Sequence, residues 1–473
     1  MNFLKLAFIL FLPLACSNAQ QTATKAPTGK TTQVTVHFTG LNTGTAKLLG
    51  VYADQNYLAD TAVIASDGTA IFNKKDGFTE GYYYLLLPDK QNFQFIIANG
   101  ENPVFTADKN NLAGSIAVQN SEENVLFISE QQKQIQLEAN FNALNAQYKA
   151  NPALGTEIKK QQQALVDERD ARLAELKKNN PGSFYVKYRL AGQNPKVRLV
   201  NTSTGTMDTI ATLTNYKNDW WNDFDFSDSR LIYTPVFHTK LKKYLFELTQ
   251  QNNDSLISSA EYVVERAKAN PNVFKYCLSW ITYQYRPTQT TYMDGEAVYA
   301  ALIDKYYYAD KVNWETPEDL KGLHETAKKI FPSTMGKIGQ DVRAKDKNNA
   351  YKSLYELKSK FTIVYIYNPD CEHCQEQTPQ LRKIYDEWKP RGLEIFSIAA
   401  NANDYKKWTE FETKYGINWT DVWDPKLESR YHEKYNIDIT PEIYVLDANH
   451  KIVAKNLKAF QVPEMLTKLF AEK

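Results

Sequence analysis

The chain is poor in the residues that build metal centres and disulfide scaffolds. Among 473 residues there are four cysteines and six histidines. Four cysteines in a chain of this length do not make a disulfide framework. His37, His238, His324, His432 and His450 show none of the paired spacing of a zinc site, so no metal and no cofactor is expected. Neither sign of charge is in excess: 56 basic against 55 acidic residues leave a net charge of +1, which gives no electrostatic footprint for nucleic acid. No apolar run approaches the ~20 residues of a membrane-spanning helix. Long low-complexity tracts are also missing, so nothing argues for disorder.

What is present points to several folded domains. The length predicts two to four, and 43% apolar residues with thirty tyrosines supply their cores. Residues 1–15 have the form of a targeting segment, with Lys5 as the positive end and Leu6–Leu14 as a short apolar stretch. Leu12-Pro13-Leu14-Ala15-Cys16 resembles a bacterial lipobox, with Pro13 as its departure. The resemblance implies a lipid on Cys16 and a polar tether over residues 16–31. Ser17-Asn18-Ala19 offers the alternative, cleavage after Ala19 without a lipid. Both readings export the protein, and the lipobox reading anchors it to an envelope membrane.

Residues 32–118 alternate in the manner of strands. Val34, Val36 and Phe38 lie on one face, Leu48–Tyr52, Tyr82–Leu87 and Phe93–Ile97 follow, and Asp67-Gly68 and Asn99-Gly100 mark turns. A β-sandwich-like module is expected. In residues 119–182 the period changes: Leu137, Phe141, Leu144 and Tyr148 recur at helical spacing, Pro152 interrupts, and Leu165, Leu173 and Leu176 continue. That pattern predicts a helical hairpin. Residues 183–334 are expected to be α-helical throughout, with helices over Thr239–Thr249, Ser255–Ala269, Asn272–Tyr285, Glu296–Tyr308 and Pro317–Ile330. The aromatic clusters there, Trp220-Trp221 and Tyr306-Tyr307-Tyr308 among them, are expected to be core. Cys277 falls in the same apolar helical stretch and is expected to be a buried structural thiol.

The chemistry concentrates in Thr362–Pro379. Thr362–Tyr367 is a short apolar run of β-branched and aromatic residues, a buried strand that ends at Asn368-Pro369. Cys371-Glu372-His373-Cys374 comes next, and Leu381, Ile384, Tyr385 and Trp388 then return at helical spacing. The two sulfurs therefore sit where a strand turns into a helix, and Cys371 meets the helix N-terminus, where a negative charge is favoured.

Strand, Cys-x-x-Cys and helix in that order resemble the active site of the thioredoxin superfamily. Pro379, five residues beyond Cys374, matches its helix-kinking proline, and Ile439-Thr440-Pro441 followed by Glu442–Asp447 matches its cis-proline turn and central strand. Gly336-Lys337-Ile338-Gly339-Gln340-Asp341 is similar to the opening segment of the TlpA/ResA-type oxidoreductases. The match covers residues 335–473. It implies an α/β thioredoxin-like fold, with strands over 362–367, 393–399, 442–446 and 451–454. The chain as a whole is thus expected to be multidomain: an N-terminal all-β module, a central α-helical region and the thioredoxin-like domain.

The resemblance further implies a thiol-disulfide oxidoreductase, a reductase or isomerase of exported proteins, with protein thiol or disulfide clients and an upstream electron donor. Cys371 is then the nucleophile, Cys374 the resolving thiol and His373 a tuner of thiolate formation; Thr440 and Pro441 face the pair and bind the client's extended segment. The buried acid of thioredoxins falls at Tyr365, so proton handling must differ, through Glu376 or water. A peroxiredoxin would need Thr or Ser where Asn368 stands. The alternative function is an envelope binding or scaffold lipoprotein in which the β and helical parts carry the main role.

Overall fold

The structure, a computed structural model, describes residues 31–287, 294–400 and 404–471. The targeting segment, the lipobox with Cys16 and nearly all of the tether lie outside the described residues. No helix among those described is long and apolar enough to cross a membrane. The chain divides into two compact units, Met1–Arg189 with Tyr233–Pro235, and Leu190–Ile232 with Val236–Lys473.

The first unit begins with eight strands: β1 (Gln33–Thr39), β2 (Thr45–Tyr52), β3 (Gln55–Val63), β4 (Thr69–Asn73), β5 (Gly81–Leu86), β6 (Asn92–Ile97), β7 (Val104–Asp108) and β8 (Ala117–Gln119), with a single turn of helix, α1 (Leu112–Ser115), before the last. They form two four-stranded sheets, β4-β1-β7-β8 and β3-β2-β5-β6. Alternation decides the faces: Val34, Val36 and Phe38 of β1 are buried, while the residues between them look outward. Gly68 is required at its turn, since at φ +83° a Cβ would lie 2.2 Å from the Phe38 carbonyl oxygen. Two antiparallel helices follow, α2 (Glu122–Ala150) and α3 (Gly155–Asn179). Asn124 fixes α2 to β6 by pairing with both backbone groups of Ile96, at 2.9 and 2.7 Å. Glu123 accepts the backbone N–H groups of Phe184 and Tyr185, both at 2.8 Å, at the start of α4 (Phe184–Ala191).

The second unit contains α5 (Thr209–Asn218), α6 (Pro235–Phe246), α7 (Asn253–Ala267), α8 (Pro271–Gln284), α9 (Gly295–Tyr306) and α10 (Pro317–Ile330). The expectation of helix throughout this region fails at residues 192–208. Gly192 and Pro195 interrupt there, and a turn bonded from Thr202 N–H to the Thr206 carbonyl at 2.7 Å leads into an isolated bridge between Asn201 and Met207. Helix α6 also begins four residues earlier than its periodicity indicates, because Pro235 suits a first helical position. Trp220, Trp221, Tyr306, Tyr307 and Cys277 are buried, while Tyr308 is exposed.

The unit closes on β9 (Arg343–Lys345), β10 (Tyr351–Ser353), β11 (Phe361–Tyr367), α11 (Glu372–Trp388), β12 (Leu393–Ala399), α12 (Tyr405–Tyr415), β13 (Thr420–Trp423), α13 (Tyr431–Lys434), β14 (Glu442–Asp447), β15 (Ile452–Ala454) and α14 (Val462–Ala471). Their sheet has the order β10-β9-β13-β12-β11-β14-β15. β11 pairs parallel with β12 and antiparallel with β14. With neighbours on both edges and cover on both faces, β11 is buried along almost its whole length, which is why it is an unbroken apolar run and not an alternating one. On one face Tyr365, Tyr367, Ile395 and Val445 pack with Cys374, Leu381, Trp388, Trp408 and Leu466 from α11, α12 and α14. On the other, Val364, Ile366, Phe396 and Tyr444 pack with Leu354, Tyr431 and Tyr435.

Candidate active site

Asn368-Pro369 ends β11 because proline has no N–H to continue the ladder. The Asn368 side chain then accepts the Asp370 N–H at 2.9 Å, and its carbonyl accepts the Cys371 N–H at 3.0 Å. This tight turn delivers Cys371 as the N-cap of α11, with extended backbone (φ −83°, ψ 120°) and no side-chain cap of its own. The sulfur thus stands over the open N–H groups of the first turn. Cys374, one turn along, is buried against the sheet.

The Thr440-Pro441 peptide is cis, and Cys371 Sγ lies 3.4 Å from the Thr440 carbonyl oxygen. Cys374 Sγ accepts the Asn368 N–H at 3.4 Å. Both thiols are free. Their environments push them apart. For Cys371, burial acts upward but is outweighed by the Cys374 thiol, the Cys374 N–H, the Thr440 side chain and the His373 N–H, which leave it below the ordinary thiol value. Burial pushes Cys374 up to about 12. Cys371 is thus the more readily ionised of the two sulfurs and Cys374 the less.

His373 contributes to Cys371 through its backbone N–H; its imidazole is 79% exposed and faces Glu376 at 3.8 Å. Glu376 is itself 70% exposed. Beneath Cys374 stand two hydroxyls that the sequence did not single out as a pair. Thr378 donates to the Cys374 carbonyl at 2.7 Å, and the Tyr365 hydroxyl lies 2.8 Å from Thr378 Oγ and 3.4 Å from the same carbonyl. Pro379 sits inside α11 and lacks the N–H that would meet the Gln375 carbonyl. Cys277, on α8, is fully buried and its thiol is pushed well up.

The two environments predict an order of reaction. In the native protein below about pH 9, iodoacetamide is expected to modify Cys371 with a midpoint below that of a free thiol and to leave Cys374 and Cys277 intact. Mass spectrometry of peptides across a pH series checks this; modification of Cys374 first would contradict the assignment.

Residues 335–455 match the AhpC/TSA family and residues 32–127 match a domain of unknown function, DUF4369. The protein named thiol-disulfide oxidoreductase ResA from Halalkalibacterium halodurans is 30% identical over 101 residues, which are 21% of this chain and 55% of that protein. Its namesake from Bacillus thuringiensis is 22% identical over 119 residues, 25% of this chain and 67% of that one. The chain therefore spans about half the length of the first of these relatives. Among solved structures, a thioredoxin-like protein from Bacteroides caccae is 15% identical, covers 59% of this chain and 100% of its own, and has a TM-score of 0.45. The thioredoxin domain of a Bacteroides vulgatus thiol-disulfide oxidoreductase is 24% identical over 29% of this chain and 98% of its own, with a TM-score of 0.28. With its central β11, its Cys-x-x-Cys helix and its cis-proline turn, the C-terminal region at residues 335–455 is a thioredoxin-like domain of the AhpC/TSA family.

Proposed function

We propose that the protein is a thiol-disulfide oxidoreductase that reduces or isomerises the disulfides of exported proteins. In the same proposal a lipid on Cys16 holds it at an envelope membrane and a separate thiol donor re-reduces it. The observation that carries the reading is the pairing of a low thiol on the N-cap of α11, Cys371, with a high, buried thiol, Cys374, opposite the cis Thr440-Pro441 turn. The redox part is residues 335–473; the division upstream at 32–118, 119–182 and 183–334 belongs to this proposal.

Cys371 as a thiolate attacks one sulfur of a client disulfide, forming a mixed disulfide and releasing the other client sulfur as a thiolate. Cys374 gives up its proton, attacks Cys371 Sγ and closes the Cys371–Cys374 bond, and the second client sulfur leaves. The client gains two electrons and the pair loses two. Burial keeps Cys374 from competing for clients. Thr440, ahead of a proline that has no N–H, offers its backbone to an extended client segment, and His373 adjusts the field at Cys371 from the exposed side.

Redox titration of the purified protein in dithiothreitol and glutathione buffers, together with insulin reduction, tests this. Reversible opening and closing of the pair with dithiol-dependent insulin turnover is expected. A pair that never cycles, although both thiols are accessible on unfolding, would leave the binding or scaffold role, which the large share of the chain outside residues 335–473 favours.

A further inference from the structure

Lys455, the residue after β15, is wholly buried, and the carboxylates paired with it come from the helical region. Its ammonium group donates to Glu296 Oε1, lies 3.7 Å from Asp294 and donates to the Ser333 hydroxyl at 3.4 Å. Asp294 is the N-cap of α9 and Glu296 stands in its first turn. The Asp294 carboxylate also accepts the Met335 N–H at 2.7 Å. An ammonium group at this depth is costly without its partners, so the ion pair fixes where the first turn of α9 meets the sheet.

The place where they meet is the strand that leads away from the Thr440-Pro441 turn. Val445 of β14 pairs with Ala454 of β15, which brings Lys455 opposite Tyr444, and the ammonium group lies 5.3 Å from the centroid of that ring. Glu442 is two residues nearer the turn, on the same face of β14 as Tyr444, and lies within electrostatic reach of both Lys455 and Glu296. Pro441 precedes it, and the Thr440 carbonyl oxygen is 3.4 Å from Cys371 Sγ.

Backbone ladders stop short of the turn. β11 pairs with β14 as far as Glu442, and β15 pairs with it only as far as Val445. Over Glu442–Tyr444 the strand therefore has a ladder on its β11 edge alone, and on the other edge Lys455 and its partners on α9 take the place of the missing one. Thr440 and Pro441 are carried at the end of this stretch, so their height over Cys371 follows from how the stretch is held.

We propose that Glu296 of α9 is a positioning residue of the redox site: through Lys455 it holds β14 where Thr440 and Pro441 meet both Cys371 and an extended client segment. The inference rests on the oxidoreductase reading. It gives the helical region a part in the exchange itself, because the Thr440 backbone that a client segment pairs with, and the Thr440 contacts to Cys371, keep their place only while the first turn of α9 keeps its own. Reaction rates respond steeply to displacements of about 1 Å at such a contact.

The experiment compares the full chain with Glu296→Ala and with Tyr306→Phe. Tyr306 ends the same helix, donates its hydroxyl to Glu265 of α7 at 2.7 Å and bonds to no strand among the described residues; its loss loosens α9 away from the sheet. In buffer in which circular dichroism shows each protein folded, Glu296→Ala is expected to raise KM for disulfide reduction of insulin by about tenfold. The iodoacetamide midpoint of Cys371 is expected to rise toward that of a free thiol. Tyr306→Phe is expected to lower the urea midpoint and to leave KM and the Cys371 midpoint at their wild-type values. Should Glu296→Ala not fold, Glu296→Gln, which keeps the shape and loses the charge, is expected to raise KM by about threefold. A folded Glu296 variant with the wild-type KM and Cys371 midpoint, or equal changes in Tyr306→Phe, overturns the proposal. A wild-type pair that does not cycle at all overturns the oxidoreductase reading instead.

Discussion

Cys374→Ser is expected to hold client proteins on Cys371 as mixed disulfides, while Cys371→Ser traps none and loses turnover by about 10³-fold or more. The asymmetry follows from where the turn at Asn368-Pro369 puts the two sulfurs. Cys371 stands on the N-cap beside the Thr440 carbonyl and is only partly buried; in the proposed function it is the sulfur that a client reaches. Cys374 is buried and its thiol is pushed up to about 12 by that burial, so in the proposed exchange it acts only when a mixed disulfide has brought an electrophilic sulfur to it. Serine at 374 keeps the shape of the site but cannot complete the exchange, and the intermediate lasts. Non-reducing gels and mass spectrometry of Cys371 adducts from an extract read the result. Trapping of equal extent in both variants would show that the roles are not divided as the thiol environments indicate.

How much of this was legible follows from how local each signal is. β11, the Cys-x-x-Cys turn and α11 announce themselves within one continuous stretch, Phe361–Trp388, because a buried strand, a proline stop and an amphipathic helix each leave a pattern in the chain. The cis-proline turn was legible from Thr440-Pro441 ahead of a strand. β13 was not: Thr420–Trp423 is four residues long, too short for a period to appear. β9 and β10, three residues each, escape for the same reason. Asp421, on β13, accepts from the Tyr367 hydroxyl at 2.9 Å and from Trp408 Nε1 at 2.7 Å, and that place had no sequence signal either. Only the register of three strands brings it into the row of Tyr365. The irregular stretch at 192–208 was masked by the strong helical periods on both sides, although Gly192, Pro195 and the threonine-rich turn were there to be read.

Replacing Lys455 is expected to destabilise the protein strongly. Its ammonium group is 0% exposed, ion-paired with Glu296, 3.7 Å from Asp294 and 5.3 Å above the Tyr444 ring. Asp294 is bound in turn by Asn253 at 2.6 Å and by the Met335 N–H at 2.7 Å, so the cluster ties α7 and α9 to the start and end of the redox sheet. Lys455→Met keeps most of the volume but leaves two buried carboxylates without their cation, a loss of about 3–5 kcal/mol, read as a lower urea midpoint of the second unit. Glu442, beside Pro441, responds in the opposite sense. Burial holds its carboxyl up to about 7, with Lys455 opposing and Glu296 assisting. The folded chain therefore keeps a proton that the unfolded chain releases from about pH 4.5 upward, so stability falls as pH rises from there to about 7 and is flat beyond. Glu442→Gln is expected to gain about 1–3 kcal/mol at pH 8 and nothing at pH 4. In the Lys455→Met background it is expected to restore part of the loss, because it removes a like charge from a cluster that has lost its cation. A Lys455→Met protein that unfolds at the wild-type urea concentration would mean that water reaches the cluster.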